Sequence, residues 1–107
     1  MADRKPLGLS RAVAAPVGLD LGNLAGSPQS WVKARRRVSL LTPRQRQVLA
    51  LVAGGLSNKE VARKLGCSPR TVEIHRRAIL LKLECKSTLE AVRIAFHAAM
   101  AEFDREA

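Results

Sequence analysis

Between residues 42 and 98 the apolar positions recur at helical spacing, in blocks that open on a capping residue. Thr42-Pro43-Arg44-Gln45 has the form of a capping box with proline at the first helical position. Val48, Leu49 and Val52 follow as an apolar stripe, and Gly54-Gly55 breaks it. Ser57-Asn58-Lys59-Glu60 is a second box, leading into Val61, Ala62 and Leu65, with Gly66 as the stop. Ser68-Pro69 opens a third block, in which Val72, Ile79 and Leu83 share one face with His75 and Leu80 beside it. Ser87-Thr88-Leu89-Glu90 is a further box. The pattern predicts an all-α fold of four helices, the third over residues 69–84.

The last helix carries two patterns. Leu89, Val92, Phe96, Ala99 and Phe103 fall 3, 4, 3 and 4 apart, as contact positions of a coiled coil do. Ile94, Ala95 and Ala98 form a neighbouring face suited to packing on the domain. Upstream, residues 1–27 hold Pro6, Gly8, Pro16, Gly18, Gly22 and Gly26, and no period survives them. Ser27-Pro28 can cap a short helix to about Val38, with Trp31 as its large apolar anchor. The expected division is a flexible extension over 1–38, with a basic cluster and that short helix, and a folded domain over 39–107.

Charge sharpens this picture. Lys and Arg number 19 against 9 Asp and Glu, a formal charge of +10. Residues 42–86 carry ten basic and three acidic side chains, whereas residues 87–107 carry two and four. Positive charge is therefore concentrated on the first three blocks, which points to a polyanion, nucleic acid ahead of an anionic membrane. No apolar run approaches the roughly 20 residues of a membrane span, and Asp3 with the early Pro and Gly interrupts any signal-peptide core. Cys67 and Cys85 match no metal spacing, so neither metal nor cofactor is expected and a reducing cytoplasm fits. Two isolated histidines and the lack of a glycine-rich phosphate loop leave nothing for an enzyme to work with. Lys33-Ala34-Arg35-Arg36-Arg37 leaves two readings open, a reach to phosphates or a narrow minor groove, and a solvated charge run.

Gly66 ends one helix and Ser68-Pro69 begins the next, the short link of a helix-turn-helix whose second helix is shaped for a DNA major groove. Three runs, Leu41–Leu49, Gly55–Ala62 and Ser68–Arg76, together with Lys82-Leu83, Lys86-Ser87 and Glu90-Ala91-Val92, resemble the LuxR/FixJ/GerE helix-turn-helix, on its FixJ-like response-regulator branch. The resemblance covers about residues 40–100. Gln45 and Gln47 stand where that family often has Glu, and Glu84 where it often has Gly, so the third helix is expected to end differently. Cys67 and Cys85 take apolar positions and are expected to pack. Such regulators usually carry an N-terminal phosphoacceptor or autoinducer domain. Residues 1–40 with this much Gly and Pro build neither, so the chain resembles stand-alone effector-domain members, and Asp3 and Asp20 are poor phosphorylation candidates.

With Val72 and Ile79 turned inward, Arg70, Glu73, Ile74, Arg76 and Arg77 are left outward. By resemblance, Glu73, Ile74 and Arg77 take the base-contacting positions. Arg77 suits guanine, Glu73 a cytosine amino group and Ile74 a thymine methyl. Glu73 has a second reading, orienting Arg70 or Arg77 along the helix. Phosphate contacts are expected from the helix start at Ser68, Arg70 and Thr71, from Asn58 and Lys59 on the scaffold helix, and from Arg76 and Lys82. His75 is either a phosphate contact or a half-buried core residue.

The sequence thus points to a cytoplasmic, nucleoid-associated transcription regulator that binds double-stranded DNA as a homodimer on an inverted repeat. The dimer contact is expected at Val92, Phe96 and Ala99. RNA polymerase or another regulator is a further candidate partner. The rival from another class is an adaptor that binds such a partner through the extension or the helix-turn-helix. A sigma-factor region shares the Arg-Gln-Arg-Gln-Val-Leu opening, but the Thr71–His75 run and the capped fourth helix favour the LuxR-type reading.

Overall fold

Each expected capping residue starts a helix. The computed structural model describes residues 25–106, and among these residues there are five helices and no strand. They are α1 (Pro28–Val38), α2 (Pro43–Ala53), α3 (Asn58–Leu65), α4 (Pro69–Leu83) and α5 (Thr88–Glu106). The architecture is all-α, as the periodicity implied. The reading of residues 1–24 as part of a flexible tail falls outside the described residues.

The caps form as local chemistry dictates. The Thr42 hydroxyl accepts from the Gln45 amide at 3.1 Å, and the Gln45 side chain accepts from the Thr42 amide at 3.0 Å. Ser57 and Glu60 make the same reciprocal pair at 3.2 and 2.8 Å. Each box satisfies two amide groups that a helix start leaves without an intrahelical partner. The fourth cap differs from expectation. Ser87 Oγ accepts from the Glu90 amide at 3.1 Å, but the Glu90 carboxylate reaches past Ser87 to the Lys86 amide at 2.9 Å. Ser27 caps α1 through a box closed by Ser30 in place of an acidic residue.

Helix α4 packs on both α2 and α3, and α5 crosses α2 and α4. Their shared core is Leu41, Val48, Leu49, Val61, Ala62, Val72, Ile79, Leu83 and Ala91. Val48, Val61, Val72 and Leu83 are fully buried, and each such burial stabilises the fold by about 1.5–3 kcal/mol. Cys67 and Cys85 are unpaired thiols packed against the edge of this core. A second cluster joins Trp31 of α1 to Met100 and Ala101 of α5. The Trp31 indole N–H donates to the Ala25 carbonyl, so its polar end is satisfied as its ring is buried. Helix α1 therefore lies along α5, with a further contact to α4.

Two left-handed residues set the turns on either side of α4. Gly66, at φ 70 and ψ 38, ends α3, and the Cys67 amide returns to the Ala62 carbonyl at 3.0 Å. Glu84, at φ 55 and ψ 44, ends α4 in the same conformation. The expectation that glutamate would end this helix differently is thus corrected. The Glu84 and Cys85 amides donate to Leu81 and Leu80 at 3.2 and 3.0 Å, the doubly bonded ending that glycine usually supplies.

Candidate nucleic-acid interface

One side of α4 is sealed and the other is open. Val72, Ile79 and Leu83 are buried, while Arg70, Glu73, Ile74 and Arg77 are exposed. These exposed positions recur at helical spacing and so share the side away from the core. Leu81 lies four residues beyond Arg77 on that side and is 76% exposed. The sequence reading passed over it, although its place in the same spacing was the available signal. Arg70 and Glu73 stand 3.9 Å apart, at the edge of ion-pair reach and both largely in water. A pair so exposed has little net strength: Glu73 lies within reach of Arg70, and its carboxylate stays open to solvent.

At the start of α4, Ser68 Oγ accepts from the Thr71 amide at 3.1 Å and lies 3.0 Å from Thr71 Oγ1. The Val72 amide donates to the Ser68 carbonyl at 3.2 Å. Pro69 has no N–H. Of the amides at this helix start, that of Arg70 is left to a phosphate, with the two linked hydroxyls and the Arg70 guanidinium beside it.

Two of the cations expected at phosphates are engaged inside the protein. Arg76 donates from Nη1 to Asn58 Oδ1 and from Nη2 to Thr88 Oγ1, both at 2.6 Å. It ties the start of α3, the middle of α4 and the start of α5 together. Lys82 Nζ donates to Gln45 Oε1 at 3.0 Å and to the Leu40 carbonyl at 3.3 Å. Gln45 is buried, and the same oxygen closes the α2 capping box. Any contact of Arg76, Asn58 or Lys82 with DNA has to be made by groups these bonds leave over. Lys59, by contrast, is exposed in the first turn of α3. His75 is half-buried.

Electrostatics within the scaffold are local. The Ser57 backbone amide, then its hydroxyl, holds the Glu60 carboxyl below its ordinary value of 4.5, with Arg63 adding to this. Burial, with Glu90 nearby, pushes the Cys85 thiol up, which keeps it protonated at neutral pH and suits a packing role.

The basic cluster of α1 follows neither reading open in the sequence for all its members. Arg35 pairs with Glu102 at 2.8 Å, and Arg37 Nη1 pairs with Glu84 at 3.2 Å while donating to the Leu83 carbonyl at 2.9 Å. Lys33 and Arg36 are exposed. On α5, Leu89, Phe96 and Phe103 are exposed large apolar residues, with Ala99 exposed and Val92 half-buried between them.

Comparison with known proteins places this arrangement. Residues 39–95 match the family described as bacterial regulatory proteins, luxR family. Over 64 residues the chain is 45% identical to the transcriptional regulatory protein FixJ of Bradyrhizobium diazoefficiens, covering 60% of this chain and 31% of that protein. It is 46% identical over 56 residues to the nitrate/nitrite response regulator protein NarL of Escherichia coli K12, covering 52% and 26%. With the oxygen regulatory protein NreC of Staphylococcus aureus JH9 it shares 36% over 80 residues, covering 75% and 37%. The chain thus spans about a third of the length of the curated relatives it matches.

Proposed function

The chain belongs to the luxR family of bacterial regulatory proteins, and on that premise we propose that it is a DNA-binding transcription regulator reading the major groove with α4. The observation that carries the reading is the division of α4 itself. Its inner side is locked in the core, and its outer side presents Arg70, Glu73, Ile74 and Arg77 together to solvent. Arg77 pairs with a guanine edge, Glu73 accepts from a cytosine amino group and Ile74 packs on a thymine methyl. Lys59, the Arg70 amide and guanidinium, and the hydroxyls of Ser68 and Thr71 hold the flanking phosphates and set the register. Arg76 and Lys82 add to the phosphate field chiefly through charge and position, since their side chains are already bonded within the fold, while Asn58, whose Oδ1 accepts from Arg76, offers its side-chain N–H groups to a phosphate. Its relatives bear the names of transcriptional and response regulators, which supports a regulatory role at the bacterial chromosome, in the cytoplasm.

The functional unit is a homodimer on an inverted repeat. The α5 stripe of Leu89, Val92, Phe96, Ala99 and Phe103 keeps coiled-coil spacing and, in the single chain, faces water at Leu89, Phe96, Ala99 and Phe103. Pairing of two such helices buries the stripe and places one α4 in each half-site. The test is selection of bound duplexes from a random pool at near-physiological salt. A two-fold motif is expected. Salt-sensitive retention of duplexes with no shared motif would contradict base reading, and a motif without two-fold symmetry would contradict the dimer.

A further inference from the structure

The most unexpected use of charge in the molecule is at the end of α4. Glu84 is the one non-glycine residue with positive φ among the described residues. A side chain in this conformation is crowded against its own backbone, which is why glycine is favoured there. Helix α4 also leaves its last carbonyls to be satisfied from outside the helix. The Glu84 and Cys85 amides serve Leu81 and Leu80. The Leu83 carbonyl is served by Arg37 of α1, whose Nη1 lies 2.9 Å from it and 3.2 Å from the Glu84 carboxylate. One guanidinium nitrogen therefore hydrogen-bonds the last carbonyl of the helix and forms an ion pair with the carboxylate of the strained cap.

Helix α1 is itself anchored to α5. Trp31 is buried with Met100 and Ala101, and Arg35 pairs with Glu102 at 2.8 Å. On the other side of the same junction, Lys82 bonds the Leu40 carbonyl in the link from α1 to α2. The end of α4 is thus stitched at two points to the chain around α1, and α1 is stitched to α5. What these bonds hold is the turn from α4 into α5, and with it the angle between the groove-facing helix and the helix with the apolar stripe. Residues 28–38 lie outside the 39–95 match to the family.

We propose that Arg37 is a positioning residue for DNA recognition, holding the left-handed cap of α4 from α1 in place of the glycine that would hold it unaided. The proposal rests on the reading of α4 as the DNA-contacting helix. It makes positions 37 and 84 interdependent. With glutamate at 84, loss of Arg37 releases the cap and lets the last turn of α4 and the turn into α5 relax. After Glu84→Gly, the cap needs no partner and Arg37 becomes dispensable.

The experiment is a double-mutant cycle in the full chain, with native protein, Arg37→Met, Glu84→Gly and the double variant. Removing the paired charges together leaves the net charge as it was, so a simple loss of phosphate attraction is separable from loss of the cap. The first readout is affinity for a duplex enriched from the random pool, at a temperature where all four proteins are folded. Arg37→Met is expected to weaken binding roughly two- to tenfold, the size of one lost hydrogen bond, and to have no such effect in the Glu84→Gly background. The second readout needs no DNA. Exchange of the Glu84 and Cys85 amides should accelerate in Arg37→Met and return to native rates or slower in the double variant. Equal weakening in both backgrounds would mean that Arg37 acts independently of the residue at 84 and would overturn the proposal. Unchanged affinity or unchanged amide exchange in Arg37→Met would overturn it too. Failure of the native chain to enrich any duplex is a separate result, against the DNA-binding reading, and the exchange cycle would still decide whether Arg37 holds the cap.

Discussion

Gly66 and Glu84 occupy the same left-handed region, at φ 70 and φ 55, but only the first carries no side chain to strain. A Cβ built at Gly66 meets nothing within 4 Å. The cost of Gly66→Ala is therefore one of backbone conformation, and we expect about 1–2 kcal/mol of lost stability. Glu84→Gly should do the reverse, gaining about 0.5–1 kcal/mol, because relief of the left-handed conformation outweighs an exposed ion pair. Urea unfolding of the two variants checks both signs. Cations separate by the same attention to surroundings. Arg76→Ala leaves Asn58 and Thr88 without their shared donor and should cost about 1–3 kcal/mol of stability. Lys59→Ala should leave stability within about 0.5 kcal/mol, weaken DNA binding evenly across sequences and reduce the salt slope by about one. Residue type and helical spacing were enough to find the open face of α4. They were not enough to tell that Arg76 and Lys82 are held within the fold, because their partners Asn58, Thr88, Gln45 and the Leu40 carbonyl come from other elements.

Among the elements, α3 shows how much a short helix owes to its ends. It has 8 residues, too few to be stable alone, and its capping box rests on the ionised Glu60. The carboxyl is held below its ordinary value, chiefly by the Ser57 amide. A depressed value means that the ionised form belongs to the folded state. Its contribution is present above the ordinary carboxylate range and is lost as pH falls through and below it. Urea midpoints measured from pH 6 down to pH 3 should fall less steeply in Glu60→Gln than in the native chain, and parallel slopes would count against this role for the box. Caps of this kind were legible because both partners lie three residues apart. The Ser87 box was read too simply, since Glu90 bonds the Lys86 amide. The docking of α1 was not legible at all. One tryptophan before a run of arginines suggests a helix, but nothing in that run says that Arg35 and Arg37 face Glu102 and Glu84 some tens of residues away. That information is tertiary.

At the scale of the whole molecule, the two faces proposed to act, the outer side of α4 and the stripe of α5, both belong to helices whose other sides build the core. This arrangement lets either face be altered without unfolding the domain. Phe96 is exposed, so Phe96→Asp should remain folded but lose self-association by sedimentation, along with cooperative binding to duplexes carrying two half-sites. A folded variant that binds as cooperatively as the native chain would remove the stripe from the dimer. The central claim is that α4 reads base sequence, and Arg77 is its most exposed test. Selection from a random duplex pool should be run in parallel for the native chain and Arg77→Ala at the same salt. The account predicts a loss of about 1–3 kcal/mol on the native site and relaxed preference at one base step in each half-site, with the remaining positions kept. An identical motif from both proteins, whatever their affinities, would contradict it.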